Sequence, residues 1–195
     1  MRLFFAVLPD DSFRDALTGA QDALRKRQYT GHFTDPRSLH LTLCFIGEYS
    51  DPDAVLEQAE RIRFAPFPLT LSGYIGSFGD LLWAGAEPDP ALAQSAKRLR
   101  HVLAEAQIPF DRKPFYPHIT LLRNAASRQP FSDIVVARVH MDVCRISLMR
   151  SDFGKHGAQY TEIGFLESAE ESRGGAYHES ECSRTAGSTF THRQK

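Results

Sequence analysis

A chain of 195 residues, 42% hydrophobic and 11% aromatic, carries enough apolar surface for one sizeable core and is expected to form a single globular domain. With 23 basic against 24 acidic residues its formal net charge is −1, which excludes bulk attraction to nucleic acid or an anionic membrane, so any polyanion must be held by a local site. No window reaches transmembrane length, the first apolar run stops at Pro9, Asp10 and Asp11, and Cys44, Cys144 and Cys182 show neither zinc nor disulfide-framework spacing. We therefore expect free thiols, a cytoplasmic setting and no membrane partner.

The opening "RLFFAVLP", dense in aromatic and branched residues, predicts a strand. "DDSFRDALTGAQDALRKRQ" follows with Phe13, Leu17, Ala20 and Leu24 at helical spacing and Asp11 or Ser12 as cap. A loop with Gly31 and Pro36 leads into "SLHLTLCFIGE", read as a strand. Strict alternation there puts Leu39, Leu41, Leu43 and Phe45 on one apolar edge and His40, Thr42 and Cys44 on the other. "DPDAVLEQAERIRF" predicts a helix capped by Asp51, with Pro52 at its first position. "PFPLTLSGYIGSFGDLLWAGA" reads as two strands turning at Gly79 and Asp80.

A third helix, "DPALAQSAKRLRHVLAEAQ", opens on the same Asp-Pro device at Asp89 and Pro90. A loop with Arg112, Lys113 and Pro114 precedes the strand "YPHITLLR". "ARVHMDVCRISLMRS" and "QYTEIGFL" complete the strands around a turn containing Gly154 and Gly157. From Ser168 the composition turns to Ser, Gly and charge, so residues 168–195 are expected to be a disordered tail after a domain spanning 1–167.

The pattern strand, helix, loop, strand occurs twice, ending first at "LHLTL" and then at "PHITL". Each copy contains His-x-Thr, at His40 and Thr42 and at His118 and Thr120. Side chains two apart in a strand share a face, so each motif presents an imidazole beside a hydroxyl. Two similar lobes facing one another would bring both pairs into one cleft. An imidazole titrates at about 6.5, so near neutrality one ring can be neutral while the other is protonated. That is the requirement for acid–base cleavage of a phosphoester: one His deprotonates water, the other protonates the leaving oxygen, and the threonines hold the non-bridging oxygens. No metal or other cofactor is needed, and neither motif offers further ligands at zinc spacing.

The paired "HLT" and "HIT", with "RLFFAVLP", "LHLTLCFIGE" and "RKPFYPHITLLR" around them, resemble the 2H phosphoesterase superfamily. Within it the similarity is to the RNA 2′,3′-cyclic phosphodiesterases, also described as 2′–5′ RNA ligases, and it runs from Arg2 to about Leu166. The resemblance implies a bilobal, duplicated α+β fold, with two antiparallel sheets around a central cleft and helices outside. It implies metal-independent opening of 2′,3′-cyclic RNA ends to 2′-phosphomonoesters, with 2′–5′ ligation as the reverse reaction. His40 is then the proton donor to O3′ and His118 the proton acceptor from water, while Arg123 matches an arginine placed near the phosphate. Strict alternation opposes that last role, because it turns Arg123 away from the cleft unless the strand ends or bulges near Leu122. RNA ends or small cyclic-phosphate nucleotides are the implied partners, and we expect a monomer.

Other residues admit plainer readings. Arg112 and Lys113 could steer an RNA end or simply be solvated, and Trp83, Phe115 and Tyr116 could stack a base, with core packing favoured for Trp83. "GSFG", Gly76 to Gly79, is a turn rather than an RNA-binding loop. His156 belongs to a Gly-flanked surface turn. Alternative activities are hydrolysis of a small cyclic phosphate such as an ADP-ribose cyclic phosphate, cleavage of 2′–5′ linkages, or non-catalytic binding of RNA ends.

Overall fold

Aspartate side chains start all three α-helices among the described residues. In the computed structural model, which describes residues 1–154 and 157–169, Asp10 accepts a hydrogen bond from the Phe13 amide and opens α1, Asp11–Lys26. The cap thus falls one residue before the expected Asp11. Asp51 opens α2, Pro52–Ala59, and Asp89 opens α3, Pro90–Glu105, each with proline in the first turn as its sequence predicts. One stripe of α1 (Phe13, Leu17, Ala20, Leu24) and one of α3 (Leu92, Ala96, Leu99, Leu103) are buried. Each such large apolar side chain contributes about 1.5–3 kcal/mol of transfer free energy on burial.

These stripes pack on an antiparallel sheet. Strands β1 (Arg2–Val7) and β3 (Leu41–Glu48) form a first lobe with β8 (Arg145–Gly154) and β9 (Gly157–Glu167), in the order β3-β1-β8-β9. Strands β4 (Phe67–Phe78), β5 (Leu81–Ala86), β6 (His118–Ala126) and β7 (His140–Val143) form a second, in the order β7-β4-β5-β6. A short β2, Thr30–Phe33, which the sequence reading left as loop, pairs with the far half of β6. The lobes join where Leu41 of β3 pairs with Ile119 of β6. The expected α+β duplication with helices outside is therefore present, its two antiparallel halves running into one curled sheet.

One strand boundary moves. The run "ARVHMDVCRISLMRS" is not one strand. It breaks at Cys144, so that β7 pairs with β4 in the second lobe while β8 pairs with β1 in the first. Past the domain end expected at 167, the Ser168 amide still donates to the Cys144 carbonyl and the Ala169 amide to the Phe64 carbonyl. Residues 170–195, most of the predicted tail, lie outside the described residues, as does His156. Cys44 is a free, buried thiol, whereas Cys144 is disulfide-bonded, contrary to the expectation of free thiols throughout. Among the described residues no helix is long and apolar enough to cross a membrane.

The two faces of the sheet differ. Leu41, Leu43, Ile119, Leu121, Ile146 and Leu148 point into the main core under the helices. The opposite face, which no helix covers among the described residues, carries a small apolar cluster of Phe4, Ala6 and Met149 flanked by Phe45 and Tyr160. Both histidines lie on this second face.

Candidate active site

The single bridge between β3 and β6 sets the geometry. Continued by one residue either way, the pairing of Leu41 with Ile119 places His40 opposite Thr120 and Thr42 opposite His118. Both apolar partners are buried, at 0% and 1% exposure, so the four polar side chains project from the other face of the sheet, at the seam between the lobes. Residues directly opposite in antiparallel strands have Cβ atoms about 4.5–5.5 Å apart. A phosphate-sized group can therefore be touched by both motifs at once.

Each ring is fixed in the same way. The His40 Nδ1–H donates to the Ser38 carbonyl at 2.7 Å, and the His118 Nδ1–H donates to the Tyr116 carbonyl, also at 2.7 Å. A carbonyl can only accept, so the proton sits on Nδ1 in both neutral rings and Nε2 is left to exchange protons. This tether, to the carbonyl two residues before each His, is a second element of the repeat that the sequence did not disclose.

Both imidazoles are held below the ordinary histidine value. Burial is the main cause for His40, opposed by the Ser38 hydrogen bond and reinforced by the positive charges of Arg123 and a protonated His118. Burial also dominates for His118, opposed by the Tyr116 hydrogen bond and reinforced by Arg123. Arg123 thus acts electrostatically on both rings.

Its position follows from a bulge. On β6, Thr120 pairs with Trp83 and Leu122 with Leu82, leaving Leu121 as an extra residue. Leu121 and Leu122 are consequently both buried, alternation is re-phased, and exposed Arg123 returns to the face of His118 and Thr120. The Leu121 carbonyl, released from the ladder, accepts from the Thr34 amide at 2.9 Å and from buried Gln21 Nε2 at 3.0 Å. Strand β3 does the same: Thr42 pairs with Ala6 and Cys44 with Phe5, leaving Leu43 extra. Cys44 therefore joins the main core, where burial pushes its thiol up to about 11, and Phe45 turns to the histidine face. This reverses the faces that strict alternation gives Cys44 and Phe45. Phe45 and Arg123 occupy corresponding places, each five residues after its histidine.

Aromatic rings, few of which the motifs suggested, wall both sides. His40 lies 4.9 Å from the ring centroids of Phe4 and Tyr160, and His118 lies 5.2 Å from Phe78 and 6.0 Å from Trp83. Trp83 is buried on this face rather than in the main core, while Phe115 packs against that core. Arg112 lies over Phe110, at 5.9 Å, and the Lys113 carbonyl accepts from Arg100. Among the described residues no three His, Cys, Asp or Glu side chains gather where they could share a metal ion.

Known proteins share both sequence and architecture with this chain. An RNA 2′,3′-cyclic phosphodiesterase of Thermus thermophilus is 34% identical over 178 residues, covering 84% of this chain and 88% of that protein. One from Escherichia coli K12 is 35% identical over 130 residues, 64% of this chain and 73% of that protein. Crystallised E. coli LigT in complex with 3′-AMP superposes with a TM-score of 0.72 at 29% identity, over 87% of this chain and 98% of LigT. The Thermus protein TT0787 gives 0.73 at 34% identity, over 86% and 97%. The family model of the 2′-5′ RNA ligase superfamily matches residues 9–155, which include both His-x-Thr motifs, and the chain belongs to that superfamily.

Proposed function

We propose that this protein hydrolyses 2′,3′-cyclic phosphodiester ends of RNA to 2′-phosphomonoesters, using His118 as base and His40 as acid. The observation that carries the reading is the pair of Nδ1-tethered imidazoles, each beside a threonine, meeting across the Leu41–Ile119 bridge with Arg123 alongside. The relatives named as RNA 2′,3′-cyclic phosphodiesterases, and LigT crystallised with 3′-AMP and with ATP, support a nucleotide or RNA end as the ligand.

The steps follow from the atoms available. Unprotonated His118 Nε2 takes a proton from water as its oxygen attacks phosphorus. The bond to O3′ breaks, and His40, protonated on Nε2, supplies the proton that O3′ needs to leave as a hydroxyl. Charge on the non-bridging oxygens is met by the Thr42 and Thr120 hydroxyls and by Arg123. Burial and Arg123 disfavour the protonated form of His40 in the free protein, and the negative charge of a bound phosphate offsets that of Arg123 and favours it. Run forward with the 5′ hydroxyl of a second RNA in place of water, the same steps open the cyclic ester at O3′ and form a 2′–5′ linkage; run backwards, they cleave it.

Incubation with excess EDTA of a short RNA bearing a 2′,3′-cyclic phosphate is expected to yield a 2′-phosphate. His40→Ala and His118→Ala are each expected to lose about 10²–10⁴-fold in turnover while binding persists. A 3′-phosphate product would keep both histidines but overturn O3′ as the leaving group. Turnover restricted to a small cyclic phosphate would favour that narrower substrate, and loss of turnover in EDTA would refute the metal-free route.

A further inference from the structure

The two histidines have unequal surroundings. On the His40 side Phe4 is 2% exposed, and with half-buried Phe45 and Tyr160 it closes the wall. On the His118 side three rings remain open: Phe78 at 48% exposure, Tyr116 at 45% and Tyr74 at 44%. They rest on Trp83, which is 4% exposed, with centroids 5.1 Å away for both Phe78 and Tyr116 and 5.9 Å for Tyr74. The Tyr74 and Tyr116 hydroxyls hydrogen-bond at 3.2 Å, which orients both rings. Gly76 lets Trp83 lie flat, since a Cβ there would run into the indole. A layer of rings so ordered, left open to solvent beside an imidazole, is unlike a core.

We propose that Phe78 and Tyr116, supported by Trp83, form the subsite for the nucleobase of the nucleotide that carries the cyclic phosphate. This rests on the phosphodiesterase reading above and deepens it by orienting the substrate. The base is attached at C1′, next to the C2′ of the cyclic ester, so it lies within one ribose of the phosphorus. Rings 5.2 and 6.3 Å from the His118 imidazole are within that reach. The two open rings meet at 77°, so a base laid on one face abuts the edge of the other. Stacking accepts any base because every base has a π-face, and the tyrosine hydroxyls here bond to one another. The subsite therefore selects for the presence of a base, not for its identity.

Trp83 is the sole tryptophan and reports directly on this layer. Adenosine 2′-monophosphate and ribose 2-phosphate, which shares its phosphate and sugar but has no base, are titrated into the full-length protein. Tryptophan emission is followed with excitation at wavelengths the base does not absorb. Adenosine 2′-monophosphate is expected to bind on the order of ten- to a hundredfold more tightly and to change the emission. Phe78→Leu, which keeps apolar packing but removes the π-face, and Tyr116→Leu, an independent variant, are each expected to shrink that advantage about tenfold or more. Equal affinities in the unaltered protein, or an advantage unchanged in both variants, would overturn the subsite. Failure of both ligands to bind would remove the phosphate site and the subsite with it. The titration needs no turnover, so a protein that binds as expected yet leaves cyclic phosphate intact would refute the catalytic reading alone.

Discussion

Arg123 and the two imidazoles are coupled charges, and the sign of the coupling can be tested. Arg123 helps hold both histidines below their ordinary value of about 6.5. The kcat/KM profile of the free enzyme, a bell bounded by the base on its acid limb and the acid on its alkaline limb, should therefore centre below that pH. Arg123→Gln removes a positive charge that resists protonation, so both limbs should move to higher pH. The rate at the optimum should fall by about 10²–10³-fold, as when one charge-stabilising donor is lost. A profile that falls in height without moving would show that Arg123 meets the phosphate but not the histidines. The limbs report macroscopic values of the pair and assign neither ring by themselves.

Single extra residues in β3 and β6 decide which side chains reach the cleft. The sequence made the His-x-Thr pairs legible because two residues suffice to show a period of two. It did not show the bulges, because Leu43 and Leu121 are ordinary strand residues and nothing in their chemistry marks an unpaired position. Strict alternation consequently misplaced Cys44 and Phe45 and opposed a cleft position for Arg123. The helix starts were legible to within a residue, since an aspartate cap and a proline act locally, whereas the second helix ends at Ala59, short of the Phe64 to which it was read. Strand β2 was not, since its order comes from β6, some 90 residues away.

The supports of the β6 bulge should be as sensitive as the cleft itself. Gly31, at φ +133°, lets β2 pass so close that an added Cβ would sit 2.6 Å from the backbone oxygens of Arg123 and Asn124. Gly31→Ala is expected to cost at least about 1–3 kcal/mol from backbone strain, read as a lower urea midpoint, and to reduce kcat/KM through displaced Arg123. Gln21→Leu removes the donor shared by the Thr34 and Leu121 carbonyls and should cost a further about 1–3 kcal/mol. If either variant unfolds earlier but keeps full kcat/KM, Arg123 does not depend on that support.

Acid should loosen the whole molecule. His40 and His118 are less readily protonated folded than unfolded, so below about pH 6.5 the unfolded chain binds more protons than the native one. Their contribution to stability is fully present above that pH and declines as pH falls toward the lowered native values. A His40→Asn, His118→Asn double variant should show a flatter thermal midpoint between pH 6.5 and 5 than the unaltered protein. Parallel curves would mean that the rings are as accessible to protons in the native state as in the unfolded one.

β1 lies between β3 and β8, so the earliest of the described strands is completed by the next to last of them, with Arg2 to Ala6 paired to Ser147 to Ser151. The four strands of the other lobe, by contrast, are consecutive from Phe67 to Val143. On the ribosome, the half bearing His118 can close its ladders while the half bearing His40 still has an open edge. At about 5–20 residues per second, the roughly 100 residues from the end of β3 to β8 keep that edge waiting on the order of ten seconds. The nascent chain thus carries an aromatic strand, "LFFAV", with one side unpaired throughout the synthesis of the other lobe, an edge exposed to wrong pairing until β8 arrives.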